Sequence, residues 1–303
     1  MTLSPDLHIA FIGCGRVAQA LALALHRQGV SPCALASRHP SSAKQLAEQL
    51  GQPALACAPQ DALARAELVL LSVPDDAIAA TAQALRWRPG QAVVHLSGAT
   101  ELSALDAAAQ AGAEVGGFHP LQIFSAPEQA AQRLAGSSVA IEAGPALEPR
   151  LLALAHVLGM RPIHLPKGAR ARYHAGAGFA ASFLLPVLDE AVQLWQSFGV
   201  DHASALQALL PLVRGTVDAV EERGIHGALS GPISRGDVGV VARHLQALEA
   251  LGPEHMALYR MLAAPQLDMA QATGRCDPDQ AARMRSVLGS ALGHDGVELS
   301  ARG

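Results

Sequence analysis

The stretch Gly13-Cys14-Gly15-Arg16-Val17-Ala18 carries residue types and spacings suited to holding a phosphorylated ligand. Gly13 permits a tight turn, Gly15 lets the main chain approach a pyrophosphate, and the small Ala18 allows close helix–strand packing. A helix opening at Arg16 and Val17 would offer its free N–H groups to phosphate oxygens. This pattern implies a dinucleotide site made of Gly13, Cys14, Gly15, Arg16 and Val17. At the end of the next apolar run, where NAD sites commonly carry Asp or Glu for the ribose 2′-hydroxyl, stand Ala36-Ser37-Arg38-His39. A carboxylate would repel a 2′-phosphate, whereas Ser37 and Arg38 can donate charge-assisted hydrogen bonds to it. NADP(H) is therefore the expected cofactor.

Other segments hold small or polar groups that a cofactor or substrate could meet. Val73-Pro74-Asp75 and Ser97-Gly98 supply Val73, Pro74, Ser97 and Gly98 as further cofactor contacts, and Pro74 turns the chain at a strand end. His119 either caps its strand or faces a substrate. Lys167, Arg170, Arg172, Tyr173 and His174 precede Ala175-Gly176-Ala177-Gly178, a run poor in side chains that another backbone or a cofactor can approach. His174 shares a helix face with Gly178, and an imidazole titrating near pH ~6.5 suits proton delivery. His174, His119 and Lys167 are thus the candidate catalytic residues. Arg235 stands on the Gly/Pro-rich loop 230–237 and suits a carboxylate or phosphate. It joins Ser182 and His119 as candidate substrate contacts, and Asp237 is the expected N-cap of the following helix.

The elements that must position these groups change character along the chain. Up to residue 166, apolar strand candidates (7–12, 33–36, 54–58, 68–73, 92–96, 114–118 and 138–141) alternate with amphipathic stretches (16–28, 41–50, 76–85, 101–111 and 148–158). Such alternation predicts an α/β fold, a Rossmann-type doubly wound parallel sheet. Beyond Pro166 the pattern is helical (169–198, 202–223, 238–250, 253–273 and 278–292). The expected division is an NADP-binding domain over 1–166 and an all-helical substrate and dimerisation domain over 167–303.

Composition bounds the function classes. Among 303 residues, 22 basic against 26 acidic side chains give a net charge of −4, which argues for neither nucleic-acid nor membrane-surface partners. Mean hydropathy is +0.23, yet the longest apolar runs are expected to be broken by His26, Arg27 or Asp189 before the ~18–20 residues a span requires. The start MTLSPDLHIA lacks a basic segment ahead of an apolar one, and the scattered Cys14, Cys33, Cys57 and Cys276 show no metal-binding or disulfide spacing. The expectation is a cytoplasmic protein with no bound metal.

Taken together, GCGRVA (13–18), LLSVPDDAI (70–78), VVHLSGA (93–99), GGFHPLQIF (116–124), YHAGAGFAAS (173–182) and SGPISRGD (230–237) resemble a family of bacterial Rossmann-like proteins with a helical C-terminal domain of unknown function. That family is similar to ketopantoate reductase, pyrroline-5-carboxylate reductase, the 6-phosphogluconate dehydrogenase group and deazaflavin-dependent NADP reductases. The resemblance implies an NADP-linked oxidoreductase that dimerises through its helical domain, and implies no particular substrate. Two positions depart from the relatives. Four residues after Lys167 stands Ala171 rather than the asparagine of a lysine–asparagine pair, and Phe183 follows Ser182 where relatives carry asparagine. His174 or His119 is then the better acid. The leading expectation is hydride transfer to or from a small, anionic carbonyl or imine compound held in the interdomain cleft. The rivals are a dinucleotide-binding sensor without turnover and, further off, an S-adenosylmethionine-dependent methyltransferase, against which Arg38 argues.

Overall fold

Short runs of aliphatic residues separated by alanine-rich amphipathic segments fold as strands and covering helices. In the computed structural model, which describes residues 7–289, the strands are β1 (Ile9–Ile12), β2 (Ala34–Ala36), β3 (Leu68–Leu71), β4 (Ala92–His95), β5 (Glu114–Leu121), β6 (Ser138–Ala143) and β7 (Arg161–His164). They form one sheet in the order β2-β1-β3-β4-β5-β6-β7. With them fold α1 (Arg16–Arg27), α2 (Pro40–Gln49), α3 (Pro59–Arg65), α4 (Ile78–Ala84), α5 (Asp106–Gln110), α6 (Pro127–Arg133), α7 (Glu148–Val157) and α8 (Arg170–Ala180). The chain divides into two compact units between Ser182 and Phe183, so α8, which follows the turn at Pro166, belongs with the sheet.

The Rossmann-like sheet is mostly parallel rather than wholly so. β1 to β5 run parallel, but β6 pairs antiparallel with β5 and β7 runs parallel to β6. The β5–β6 connection, residues 122–137, carries the 7-residue α6 and brings β6 back alongside β5 in the opposite sense. The strand expected at 54–58 is instead a short 3-10 turn at Pro53–Leu55 with a single bridge from Ala56 to Leu35; Pro53 opens that turn, where its fixed φ suits a helical start. β7, α3 and α6 were not anticipated. All four residues of β7 are exposed, so no apolar alternation marks it.

Side-chain alternation gives the sheet two different faces. Phe11, Leu70, Val94, Phe118 and Ile141 pack against Leu21 and Leu25 of α1 and Leu151 and Leu154 of α7. Ile12, Val69, Leu71 and Val93 pack against Leu63 of α3 and Ile78 of α4. Continuing this second face along β4, β5 and β6 places His95, Gly117, His119 and Glu142 side by side. There the apolar core gives way to polar groups, and α8 covers them.

The second unit holds α9 (Leu184–Gln196), α10 (His202–Gly227), α11 (Gly231–Ser234), α12 (Val238–Glu249), α13 (Pro253–Ala272) and α14 (Pro278–Leu288). Val241, Leu245, Leu267 and Met284 form one of its cores, and Val192, Ala205 and Leu209 join α9 to α10 in another. The helix expected over 169–198 is two helices, interrupted at residues 181–183, and residues 290–292 of the last expected helix lie outside the described residues. Asp237 stands at the N-cap of α12 without capping it. Its carboxylate takes the Arg235 guanidinium instead, at 2.9 Å. A further correction concerns hydropathy: the 27 residues Arg170–Gln196 are long and apolar enough to cross a membrane by length and composition, with a best window of mean hydropathy 1.3 that is 6% buried. Asp189 does not break this window below spanning length.

Candidate active site

The strand order reverses about β1, whose neighbours β2 and β3 lie on opposite sides, and open α/β sheets bind ligands outside the carboxyl ends of strands at such a point. A cavity of about 510 Å³ lies there, lined by Gly15, Arg16, Val17, Ser72, Val73, Pro74, Asp75 and Ser97 among others. Gly13 makes the turn that leads from β1 to these residues. The Gly13 amide donates to the Ala36 carbonyl at 2.8 Å, its φ is +98°, and a Cβ there would lie 2.3 Å from the Ser72 carbonyl oxygen. Gly15 is the N-cap of α1 and brings no side-chain cap, and no atom stands within 4 Å of where its Cβ would be. Free helix N–H groups therefore face open space, the cradle a pyrophosphate requires. The Cys14 thiol is turned away, 3.4 Å from the Ala36 carbonyl, and burial with help from Cys57 pushes its pKa up to about 12. Beyond β2, Ser37 is half-buried and Arg38 exposed, with no carboxylate between them. These residues fit a dinucleotide, and their charge fits one bearing a 2′-phosphate.

A second group of side chains assembles on the sheet face under α8. Arg170 is fully buried. Its Nε donates to Glu142 Oε2 at 2.6 Å and Nη1 to the Ser97 carbonyl at 2.9 Å. It lies where Gly117 leaves space, since a Cβ on Gly117 would meet Nη2 at 1.7 Å. One turn on, Tyr173 Oη is 2.8 Å from His119 Nδ1. The His174 ring stands edge-on to His119 with centroids 6.0 Å apart. Both histidines close over Gly98, where a Cβ would lie 2.6 Å from His174 Cδ2 and 2.8 Å from His119 Cε1. Ser97, the next residue back, donates its hydroxyl to Asp75 at 2.6 Å and lines the groove.

Electrostatics here favour neutral imidazoles. Burial, the neighbouring His174 and the Arg170 charge bring His119 down to about 4, with Asp75 opposing. His95 is fully buried, and both of its ring nitrogens lack a hydrogen-bond partner among the described residues. Burial, then Arg170, hold it at about 4. Burial raises the Tyr173 phenol above its ordinary value, with Arg170 working against the rise.

The structure thus brings His119 and His174 together, beside Gly98 and Ser97, and gathers Gly15, Arg16 and Val17 with Val73, Pro74 and Ser97 around one groove, while Gly13 and Cys14 lie in the turn behind it. Lys167 is exposed on the turn before α8, and Ser182 is exposed beyond its end. Arg235 belongs to the C-terminal unit, paired with Asp237. Sequence reasoning did not single out Arg170, Tyr173, Glu142, Gly117 or His95 as site residues. A signal existed for two of these side chains: Arg170 and Tyr173 stand with His174 at i, i+3 and i+4, one face of one helix.

Residues 8–99 match the family model described as NADP oxidoreductase, coenzyme F420-dependent, and residues 137–265 match that of a domain of unknown function, DUF2520. Segment by segment, the chain is similar to an F420/NADP oxidoreductase domain followed by a DUF2520 domain. The resemblance read from the sequence is the same one. His95, Ser97 and Gly98 lie in the first matched segment, Glu142, Arg170, Tyr173 and His174 in the second, and His119 between the two. Among solved structures, a candidate NADP oxidoreductase from Bacteroides fragilis is 27% identical over 87% of this chain and 98% of its own, with a TM-score of 0.68. A Thermotoga maritima protein is 21% identical over 88% and 100%, with a TM-score of 0.69. A reductive aminase from Aspergillus terreus, solved with NADPH and ethyl-5-oxohexanoate, is 18% identical over 92% and 98%, with a TM-score of 0.63. The last two share the fold. No curated protein matches the chain.

Proposed function

We propose that this protein is an NADP(H)-dependent oxidoreductase acting on a small, anionic carbonyl or imine compound. The observation that carries the reading is the continuity of groove and histidine cluster: Ser97 lines the cavity, and the adjacent Gly98 is where the His119 and His174 rings converge. Bound in that groove, the nicotinamide cofactor supplies or accepts the hydride. The protein's part is to bind, orient and handle a proton. Gly13 shapes the turn, backbone N–H groups from Cys14, Gly15, Arg16 and Val17 hold the pyrophosphate, and Ser37 and Arg38 hold the 2′-phosphate. Val73, Pro74, Ser97 and Gly98, on the opposite side of β1 from Ser37 and Arg38, lie towards the nicotinamide. Reduction leaves charge on oxygen or nitrogen that a nearby acid must quench; the exposed His174 delivers that proton beside His119, with Lys167 as the reserve cation. Arg235 and Ser182 are proposed to grip the substrate's anionic group. The same proposal includes a cytoplasmic homodimer formed through the helical unit, favoured by the exposed Leu212, Val217 and Ile225 of α10; sedimentation at micromolar concentration checks it.

Titration with NADPH and NADH tests the cofactor assignment. A charge-assisted hydrogen bond contributes about 1.5–3 kcal/mol, so Arg38→Ala should weaken NADPH roughly tenfold to a hundredfold and leave NADH unchanged. Equal losses for both would remove Arg38 from the 2′-phosphate. Binding of neither cofactor by the native protein would end the reading.

A further inference from the structure

We propose that Tyr173 is a positioning residue that fixes His119 as its Nε2–H tautomer, so that the imidazole presents a neutral hydrogen-bond donor at Gly98. What that donor serves rests on the oxidoreductase reading; the tautomer itself rests on geometry and acidity.

The 2.8 Å contact between Tyr173 Oη and His119 Nδ1 admits one proton. Either the phenol donates to a bare Nδ1, or an Nδ1–H donates to the phenol oxygen. A phenol with its ordinary pKa near ~10 is a far better donor than a neutral imidazole N–H, and an imidazole nitrogen with its pKa near ~6.5 is a far better acceptor than a phenol oxygen. The O–H therefore donates. A neutral imidazole carries a single N–H, so its proton resides on Nε2, the nitrogen that closes on Gly98, 2.9 Å from where a Cβ would stand. Burial, with His174 and Arg170 from α8, keeps His119 in this neutral form against the pull of Asp75 after β3; Tyr173 from α8 and His95 on β4 are its other polar neighbours. Glu142 on β6, close by, is occupied by Arg170.

A ring nitrogen's role is set by the hydrogen bond its partner nitrogen makes. With the tautomer fixed, His119 stabilises negative charge developing on a substrate oxygen or nitrogen by hydrogen bonding, as preorganised neutral donors do, and keeps its own proton. The exposed His174 is then free to be the group that exchanges protons with water. The sequence alone offered the two histidines as equivalents; the phenol distinguishes them.

Ring 15N resonances of the folded protein at neutral pH test this, the His119 signals being identified by their loss in His119→Gln. Nδ1 should resonate as a bare, hydrogen-bonded nitrogen and Nε2 as a protonated one. In Tyr173→Phe the ratio of Nε2–H to Nδ1–H should fall about twofold to tenfold, the effect of one hydrogen bond, and the two shifts should converge. A native protein with Nδ1 protonated, or a folded Tyr173→Phe with an unchanged ratio, would overturn the proposal. Should Tyr173→Phe fail to fold, replacing both tyrosines, Tyr173 and Tyr259, with the more acidic 3-fluorotyrosine should move the Nδ1 shift, and a static shift is the overturning result. NADPH titration of the same samples is read separately: a locked tautomer without cofactor binding breaks the oxidoreductase reading and keeps the inference, and binding with an unlocked tautomer does the reverse.

Discussion

The groove at Gly13–Val17 and the cluster under α8 share one sheet, but the first is made of backbone and the second of side chains. The groove works through what is missing: no Cβ at Gly13, no side-chain cap at Gly15, no acid beyond β2. The cluster works through what is held: a buried Arg170–Glu142 pair, a phenol on a histidine, and a second histidine beside it. Backbone sites fail when an atom is added, whereas buried polar clusters fail when a charge loses its partner. The two regions should therefore respond to opposite kinds of substitution.

The largest expected effect is on the groove. Gly13→Ala would force a Cβ to within 2.3 Å of the Ser72 carbonyl at φ +98°, backbone against backbone, and should cost on the order of 4 kcal/mol or more. Gly15→Ala, two residues on and with open space around it, should cost about 1 kcal/mol while its methyl obstructs the phosphates. Denaturant titration with NADPH binding separates these outcomes, and a stable, cofactor-binding Gly13→Ala would break the backbone half of the comparison.

Next comes the ion pair. Arg170→Met or Glu142→Gln should each cost about 3–5 kcal/mol, because the remaining partner is left buried and unpaired, and the double variant should cost much less than the sum. Near-additive losses below ~1 kcal/mol would mean that the pair holds nothing.

Acid should act on the cluster and spare the groove. His95 and His119 titrate at about 4 in the folded chain against ~6.5 unfolded. As pH falls, the unfolded chain takes up these protons first. The stability is fully present above pH ~6.5 and declines towards pH 4, by about 3 kcal/mol for each histidine. His95→Leu should flatten that decline by about half, measured as unfolding free energy against pH; an unchanged slope would assign the acid sensitivity elsewhere.

The smallest effect sharpens the boundary between the regions. Gly98→Ala would press on two rings rather than on backbone, and rings can shift, so a loss of about 1–3 kcal/mol is expected. Its signature is displaced His119 and His174 resonances.

The same contrast explains what could be read from the sequence. The glycine motif is six consecutive residues, three in the turn after β1 and three opening α1, so its chemistry is local and its placement followed from the pattern around it. The cluster is joined by contacts between residues 73 apart (Arg170 and Ser97), 54 apart (Tyr173 and His119) and 28 apart (Arg170 and Glu142), which no periodicity encodes. Individual members, His119 and His174, stood out by type, while Arg170 passed as one of several surface cations because nothing local marked Gly117 as its seat. The reversal of β6 is not marked in the sequence, since its connection (122–137) is close in length to the one (144–160) that joins the parallel β6 and β7. β7, exposed along its length, left no trace either.

That reversal has a consequence in time. Because β6 and β7 run against β5, the chain leaves the sheet at Leu165, level with Phe118, and α8 then passes Gly117, His119 and Gly98 in that order. Its anchors belong to or directly follow three strands, β4, β5 and β6. Every residue that lines the groove, up to Ser125, stands ahead of α8 in the chain. Synthesis from the N-terminus therefore supplies all of the groove's residues before the one helix on which the cluster depends.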